Sequence, residues 1–272
     1  MLFCDLALAR RLETTDALMG ARYVGSHASL HPDEGSTFIE VAGGYASFAG
    51  LNSPMTQAFA LGLNGPVTED EIEKMEEFYK SLGAPVNVEV CPLADSTLIS
   101  IFKSRGYSVL EYSNVLVREL SKSESYLQGE SRVEVRNPKP SEVNLWARTI
   151  GQSFIETDDV AQSVVDLFIT FFHTVATTCF AAYIDGRQAG GGLVMINEDV
   201  ASLAATGTIP SFRNQGAQTA LIQARLAFAA ASGCDLAMVT TMPGSTSQRN
   251  VERQGFRVVY TRSKLIREWS PE

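Results

Sequence analysis

Short apolar runs separated by polar, glycine-containing turns recur along the chain, and their spacing predicts alternating strands and helices. In the first half, the helix-forming stretch Asp5 to Met19 precedes a polar, turn-rich segment from Gly20 to Gly35. Phe38 to Val41 and Tyr45 to Phe48, joined by Gly43-Gly44, read as a hairpin. Gln57 to Leu63 is an apolar strand ended by Asn64-Gly65-Pro66, and Thr68-Glu69-Asp70-Glu71 caps a helix reaching Leu82. Val86 to Val90, Ser96 to Ser104 and Tyr112 to Leu120 follow as strand, helix and strand. Ser121 to Ser131 is polar and reads as a linker.

The second half opens with a strand from Arg132 to Arg136, then helices over Ser141 to Phe154 and Asp159 to Thr174. Phe180 to Ile184 and Gly190 to Ile196 form a hairpin around Asp185-Gly186-Arg187. Val200 to Thr208 is a strand that Pro210 terminates, because proline cannot donate to a ladder. Ala217, Ala220, Leu221, Ala224, Phe228 and Ala231 then share one helical face up to Ser232-Gly233. Leu236 to Thr240, Ser247 to Gln254 and Val258 to Glu268 close the chain as strand, helix and strand.

The stretch from Thr206 to Ala231 is therefore a strand, a polar turn and a helix start. The first turn of such a helix offers free N–H groups at the positive end of the dipole. No carboxylate lies in this stretch, and Gly216 admits close approach to the backbone. These are the conditions that hold a phosphate or diphosphate.

The two halves echo each other. Gly106 and Gly255, Arg118 and Arg267, and Glu119 and Glu268 are each 149 positions apart. A constant offset across separated matches points to two similarly folded units, expected at 1–125 and 131–272. Where the second has Arg213-x-x-Gly216, the first has three carboxylates, Glu69, Asp70 and Glu71, at its helix start, which would repel a diphosphate.

Composition narrows the field further. The 272 residues, 45% hydrophobic and 19% charged, can bury a sizeable core. A net charge of −9 disfavours non-specific nucleic-acid and anionic-membrane binding, so neither partner is expected. Cys4, Cys91, Cys179 and Cys234 are isolated, and three scattered histidines give no metal-ligand spacing, so no metal is expected. The uncharged run Leu167 to Ile184 reads as a helix end plus a buried strand of a cytoplasmic protein.

Arg213-x-x-Gly216 after Thr208-Ile209-Pro210, followed by Thr219-Ala220-Leu221, resembles the acyl-CoA signature of the GNAT N-acetyltransferase superfamily. Gly255-Phe256 is similar to the pair that closes the family's last helix, so the resemblance spans about Val133 to Arg267 and more faintly the first half. One position departs: Gln218 stands where the signature has Gly or Ala.

The resemblance implies an α/β (α+β) fold of two units, each a mixed, mostly antiparallel sheet flanked by helices, the first a degenerate partner. It implies acetyl-CoA as acyl donor and, as acceptor, an amine of a small molecule or peptide, with a homodimer left open. Thr208, Ile209, Arg213, Asn214, Gln215, Gly216, Ala217, Gln218, Thr219 and Asn250 would hold the cofactor. An alkyl amine attacks only when neutral, so a base is needed; the candidates are Glu156, with Asp158 and Asp159 beside it, and Glu198 and Asp199 just before the central strand. The family's thiolate-protonating tyrosine is replaced by Val251, which leaves as candidate donors Ser247, unless it caps its helix, and Asn250 on an adjacent face. Val251 and Gln218 keep a non-catalytic acyl-CoA-binding module or sensor as the alternative.

Overall fold

The computed structural model describes residues 2–126 and 132–269. Its element order is α1 (Leu6–Leu30), β1 (Thr37–Val41), β2 (Gly44–Phe48), β3 (Gln57–Phe59), α2 (Glu69–Ser81), β4 (Val86–Val90), α3 (Ser96–Ser104), β5 (Ser108–Glu119) and β6 (Val133–Arg136). There follow α4 (Val143–Ile155), α5 (Gln162–His173), β7 (Thr177–Ile184), β8 (Arg187–Asn197), β9 (Val200–Thr208), α6 (Ala217–Ala231), β10 (Leu236–Thr241), α7 (Thr246–Arg253) and β11 (Arg257–Arg267).

The elements gather into two compact units that interleave along the chain. The first takes residues 1–116, 240–243 and 258–272; the second takes 117–239 and 244–257. Strand β11, late in sequence, thus belongs mostly to the first unit, where Ser263 to Arg267 pair antiparallel with Val90 to Val86 of β4. Part of the expected linker, residues 127–131, lies outside the described residues.

In the first unit, β1, β2 and β3 pair antiparallel and β3 runs parallel to β4. Helix α1 is longer than its sequence suggests. The segment expected to turn from Gly20 onward stays helical to Leu30, because Tyr23 and Val24 are fully buried there. Burial of two such side chains, about 1.5–3 kcal/mol each, outweighs the roughly 1 kcal/mol cost of each helical glycine. Strand β3 is shorter than expected, ending at Phe59, while Leu61 and Leu63 remain buried in the turns that follow.

Helix α2 starts as its sequence dictates. The Thr68 hydroxyl accepts from the Glu71 N–H while the Glu71 carboxylate accepts from the Thr68 N–H, a reciprocal capping box. Its acidic first turn is tied further by Arg105, whose Nε donates to Glu69 at 2.7 Å. The positive end of this helix is occupied by its own side chains.

One buried ionic group sits in this unit. Arg262 on β11 donates to Glu13 at 2.7 Å and pairs with Asp16 at 2.9 Å, and the Tyr260 hydroxyl donates to Glu13 at 2.7 Å. Burial raises the Glu13 carboxyl, and Arg262 and Tyr260 only partly counter this.

In the second unit β6, β7, β8 and β9 form an antiparallel meander and β10 joins β9 in parallel. Trp146 of α4, fully buried, donates its indole N–H to the Phe180 carbonyl of β7 at 2.9 Å. Phe168, Phe171 and Phe180 are buried in the core. Leu167 to Ile184 is the end of α5 and most of β7, and no helix among the described residues is long and apolar enough to cross a membrane.

Candidate functional site

Strand β9 loses its partners where the site begins. It pairs with β10 only from Val200 to Ser202 but continues to Thr208, so backbone groups along that edge lack a β10 ladder. On its other edge the register with β8 slips: Gly191 faces Gly207, whereas Leu193 faces Ala204. Gly192 therefore opposes both Ala205 and Thr206, a bulge that re-aims the groups around it.

Arg225 of α6 sustains this bulge. Its Nη1 donates to the Thr206 hydroxyl at 2.6 Å and to the Leu193 and Ala204 carbonyls at 3.2 and 3.4 Å, and Nε donates to the Leu221 carbonyl. The residue is 1% exposed and has no ion-pair partner among the described residues. Burial alone pulls its guanidinium down to about 9, still cationic at neutral pH.

Past β9, a 3-10 turn over Pro210–Phe212 leads through Arg213 and Asn214 to Gly216, whose φ of 89° precedes α6. A side chain at that φ is strained, which is why glycine stands there. No side chain caps α6, and the N–H groups of Asn214 to Thr219 have no partner among the described residues. Three non-glycine residues around this loop, Glu156, Ala205 and Asn214, also hold positive φ, of 56, 49 and 61°. Such conformations persist where the surroundings impose them, and they concentrate at ligand sites.

These elements enclose a groove of about 520 Å³. Of the residues expected to act, Thr208, Arg213, Asn214, Gly216, Ala217, Gln218, Thr219, Asn250, Ser247 and Glu156 all line it. Ile209 lines a different cavity, and Gln215 instead turns its amide towards the Ser211 carbonyl. Gly207 brings the end of α4 against the strand: a Cβ there would stand 1.6 Å from Ser153 Oγ.

Helix α7 starts one residue earlier than expected, and Ser245 caps it by accepting from the Gln248 N–H. Ser247 is not the cap, and its hydroxyl is left on the groove wall. Val251 is buried and Asn250 donates to the Gln218 amide oxygen at 2.5 Å, so Gln218 joins the wall rather than closing the groove.

The helix start free of acids along the local sequence is not free of them in space. Glu156 forms the C-terminal cap of α4, and its carboxylate lies 2.8 Å from Arg213 Nη2. A diphosphate entering the loop would compete with that carboxylate for Arg213. The Thr208 hydroxyl, buried at the groove without a partner, is a further unmet polar group. An open row of amides, a cation and an orphan hydroxyl along one strand edge suit a nucleotide diphosphate with a linear amide arm.

Residues 145–256 match the model of the acetyltransferase (GNAT) family. Among solved structures, a GCN5-related N-acetyltransferase from Kribbella flavida is similar at 16% identity with a TM-score of 0.64, over 92% of this chain and 96% of that one. A tandem GNAT protein from the clavulanic acid biosynthesis pathway is similar at 12% identity and a TM-score of 0.62, over 98% and 95%. A GCN5-related N-acetyltransferase from Sphaerobacter thermophilus gives 12% and 0.54, over 78% and 71%. No curated protein matches the sequence.

Proposed function

We propose that this protein moves an acetyl group from acetyl-CoA to an amine of a small molecule or peptide, a reading supported by the match of residues 145–256 to the acetyltransferase (GNAT) family model and by the likeness of the fold to a tandem GNAT protein. The observation that carries this reading is the row of unpartnered amides from Asn214 to Thr219 at the uncapped start of α6.

In this reading those amides and Arg213 hold the diphosphate, while the free edge of β9 and the Thr208 hydroxyl hold the pantetheine arm. Acetyl-CoA supplies an activated thioester. A backbone N–H beside the bulge polarises its carbonyl, a contribution of about 3 kcal/mol where such a donor has been removed elsewhere. Glu156, released from Arg213 once the diphosphate takes that cation, accepts the proton of the ammonium through water. Ser247 donates a hydrogen bond to the departing thiolate. In the first unit the start of α2 is taken up by its own capping box, Thr68 with Glu71, and Glu69 is held by Arg105.

Calorimetry with acetyl-CoA tests the binding half. Gln218→Glu, which puts a carboxylate into the first turn of α6 without backbone strain, should weaken binding about 10-fold or more, and Gly216→Glu should abolish it. Glu69→Ala in the first unit should leave it unchanged; equal losses would overturn the assignment. A second reading, an acyl-CoA-binding module without turnover, is favoured by Val251 where a proton donor is wanted. Thiol release over a panel of amines separates the two.

A further inference from the structure

A second cavity of the same unit, about 640 Å³, lies beside the β7–β8 turn, and of the groups considered for acyl transfer only Ile209 and Asp158 line it. Its wall holds four polar groups with little or no protein partner: the exposed Arg187 and Asp158, the buried Gln188 amide and the buried Tyr183 hydroxyl. Arg187 is exposed, its guanidinium stacks on the Phe212 ring with 5.0 Å to the centroid, and it has no carboxylate partner among the described residues. Asp158 is exposed, its carboxylate has one weak contact, from Gln152 Nε2 at 3.4 Å, and it has no ion-pair partner among the described residues. Gln188 is more than nine-tenths buried, yet neither its amide oxygen nor its amide nitrogen has a partner.

The neighbouring charges cancel. Arg136 and Glu142 hold each other through two bonds of 2.7 Å, so they add no net field to the cavity. The groups left to meet a ligand are then one cation, one anion, one carboxamide and the Tyr183 hydroxyl. A buried amide left unpaired is costly, which favours a ligand that completes it.

We propose that this cavity is a second binding site, separate from the acyl-CoA groove, for a small zwitterion that carries an amide: a carboxamide amino acid or a dipeptide. Its carboxylate meets Arg187 and its ammonium meets Asp158. In a carboxamide amino acid the primary-amide edge, one N–H and the C=O, pairs with both Oε1 and Nε2 of Gln188, whereas a dipeptide's trans amide meets one of the two.

The test is calorimetric titration of the full chain with L-glutamine and with glycylglycine, beside acetate, which lacks the ammonium and the amide, and glycinamide, which lacks the carboxylate. Saturable binding of the first two but not the last two is expected. Arg187→Ala and Gln188→Leu should each weaken glutamine binding by about 10-fold. Both should retain acetyl-CoA binding and a cooperative thermal transition, because Arg187 is exposed and leucine removes the two unpaired atoms at little change of volume. No saturation by either ligand up to about 10 mM, or unchanged affinity in both variants, would overturn the proposal. It stands apart from the acyl-transfer reading, since failure of acetyl-CoA to bind the wild-type chain sinks that reading alone.

Discussion

The guanidinium of Arg225 lies 2.6 Å from the Thr206 hydroxyl, and the same nitrogen reaches the Leu193 and Ala204 carbonyls. One cation on α6 thereby ties both strands that meet at the β9 bulge. Replacing it with methionine strands three acceptors in the interior. Arg225→Met should cost about 2–4 kcal/mol of stability, read from the denaturant midpoint of unfolding. The surviving folded fraction should bind acetyl-CoA more weakly, because the free edge of β9 loses its fixed geometry.

The contact between Ser153 and Gly207 is narrower still. Gly207→Ala places a methyl 1.6 Å from Ser153 Oγ, so α4 and β9 must part. A loss of about 1–3 kcal/mol is expected from such overpacking. Ser153→Gly in the same chain should recover part of it; no recovery in the double variant's melting temperature would mean that the strain lies elsewhere.

Glu156 makes opposing demands on the site. Removing its charge with Glu156→Gln ends the competition for Arg213, an exposed pair worth at most about 1 kcal/mol. Acetyl-CoA binding should tighten by up to about 5-fold, while turnover with any responsive amine falls. Tighter binding with unchanged turnover would remove Glu156 from the proton path and leave it as a competitor only.

Ser247 separates affinity from rate. Ser247→Ala should leave acetyl-CoA affinity unchanged and slow thiol release by about 10-fold, less than a dedicated general acid contributes. An unchanged rate would show that the thiolate leaves unaided.

Acid stability of the second unit has an identifiable group. The hydrogen bonds from Arg136, and from the Lys139 N–H, hold the Glu142 carboxyl down at about 2, below its ordinary value. A carboxyl depressed in the folded state contributes stability that is fully present above its unfolded pKa and is lost as pH falls towards the folded value. Glu142→Gln should therefore melt lower than the wild type at neutral pH, with the gap closing between about pH 5 and 2. A gap independent of pH would assign the loss to packing instead.

Much of the fold could be read from local chemistry. Gly43-Gly44 and Asp185-Gly186 mark real hairpins, and the Thr68–Glu71 capping box starts α2 where its sequence says. What escaped depended on contacts between distant positions. The second half of α1 was hidden because Gly20 and Gly25 read as turn residues, whereas the burial of Tyr23 and Val24 keeps the helix going. The groove was legible from Thr208 to Thr219, since those residues are neighbours in sequence. Glu156 was foreseen as a base but not as the partner of Arg213, 57 positions away. Arg225 went unnoticed because a charge on a helix is ordinarily solvated. Its signal was there: it is the lone charged residue of a 15-residue helix otherwise built from alanine, other apolar residues, threonine and glutamine.

Strand β11 sets an order of events during synthesis. Glu13 emerges from the ribosome early, yet its cationic partner Arg262 follows 249 residues later. Domains made first ordinarily fold first. Here the leading unit must wait, a β4 edge and a carboxylate both unmatched, until β11 has been made. A nascent chain halted before β11 would expose that edge to other chains, so the synthesis of this one strand governs whether the earlier-made half becomes native or aggregates.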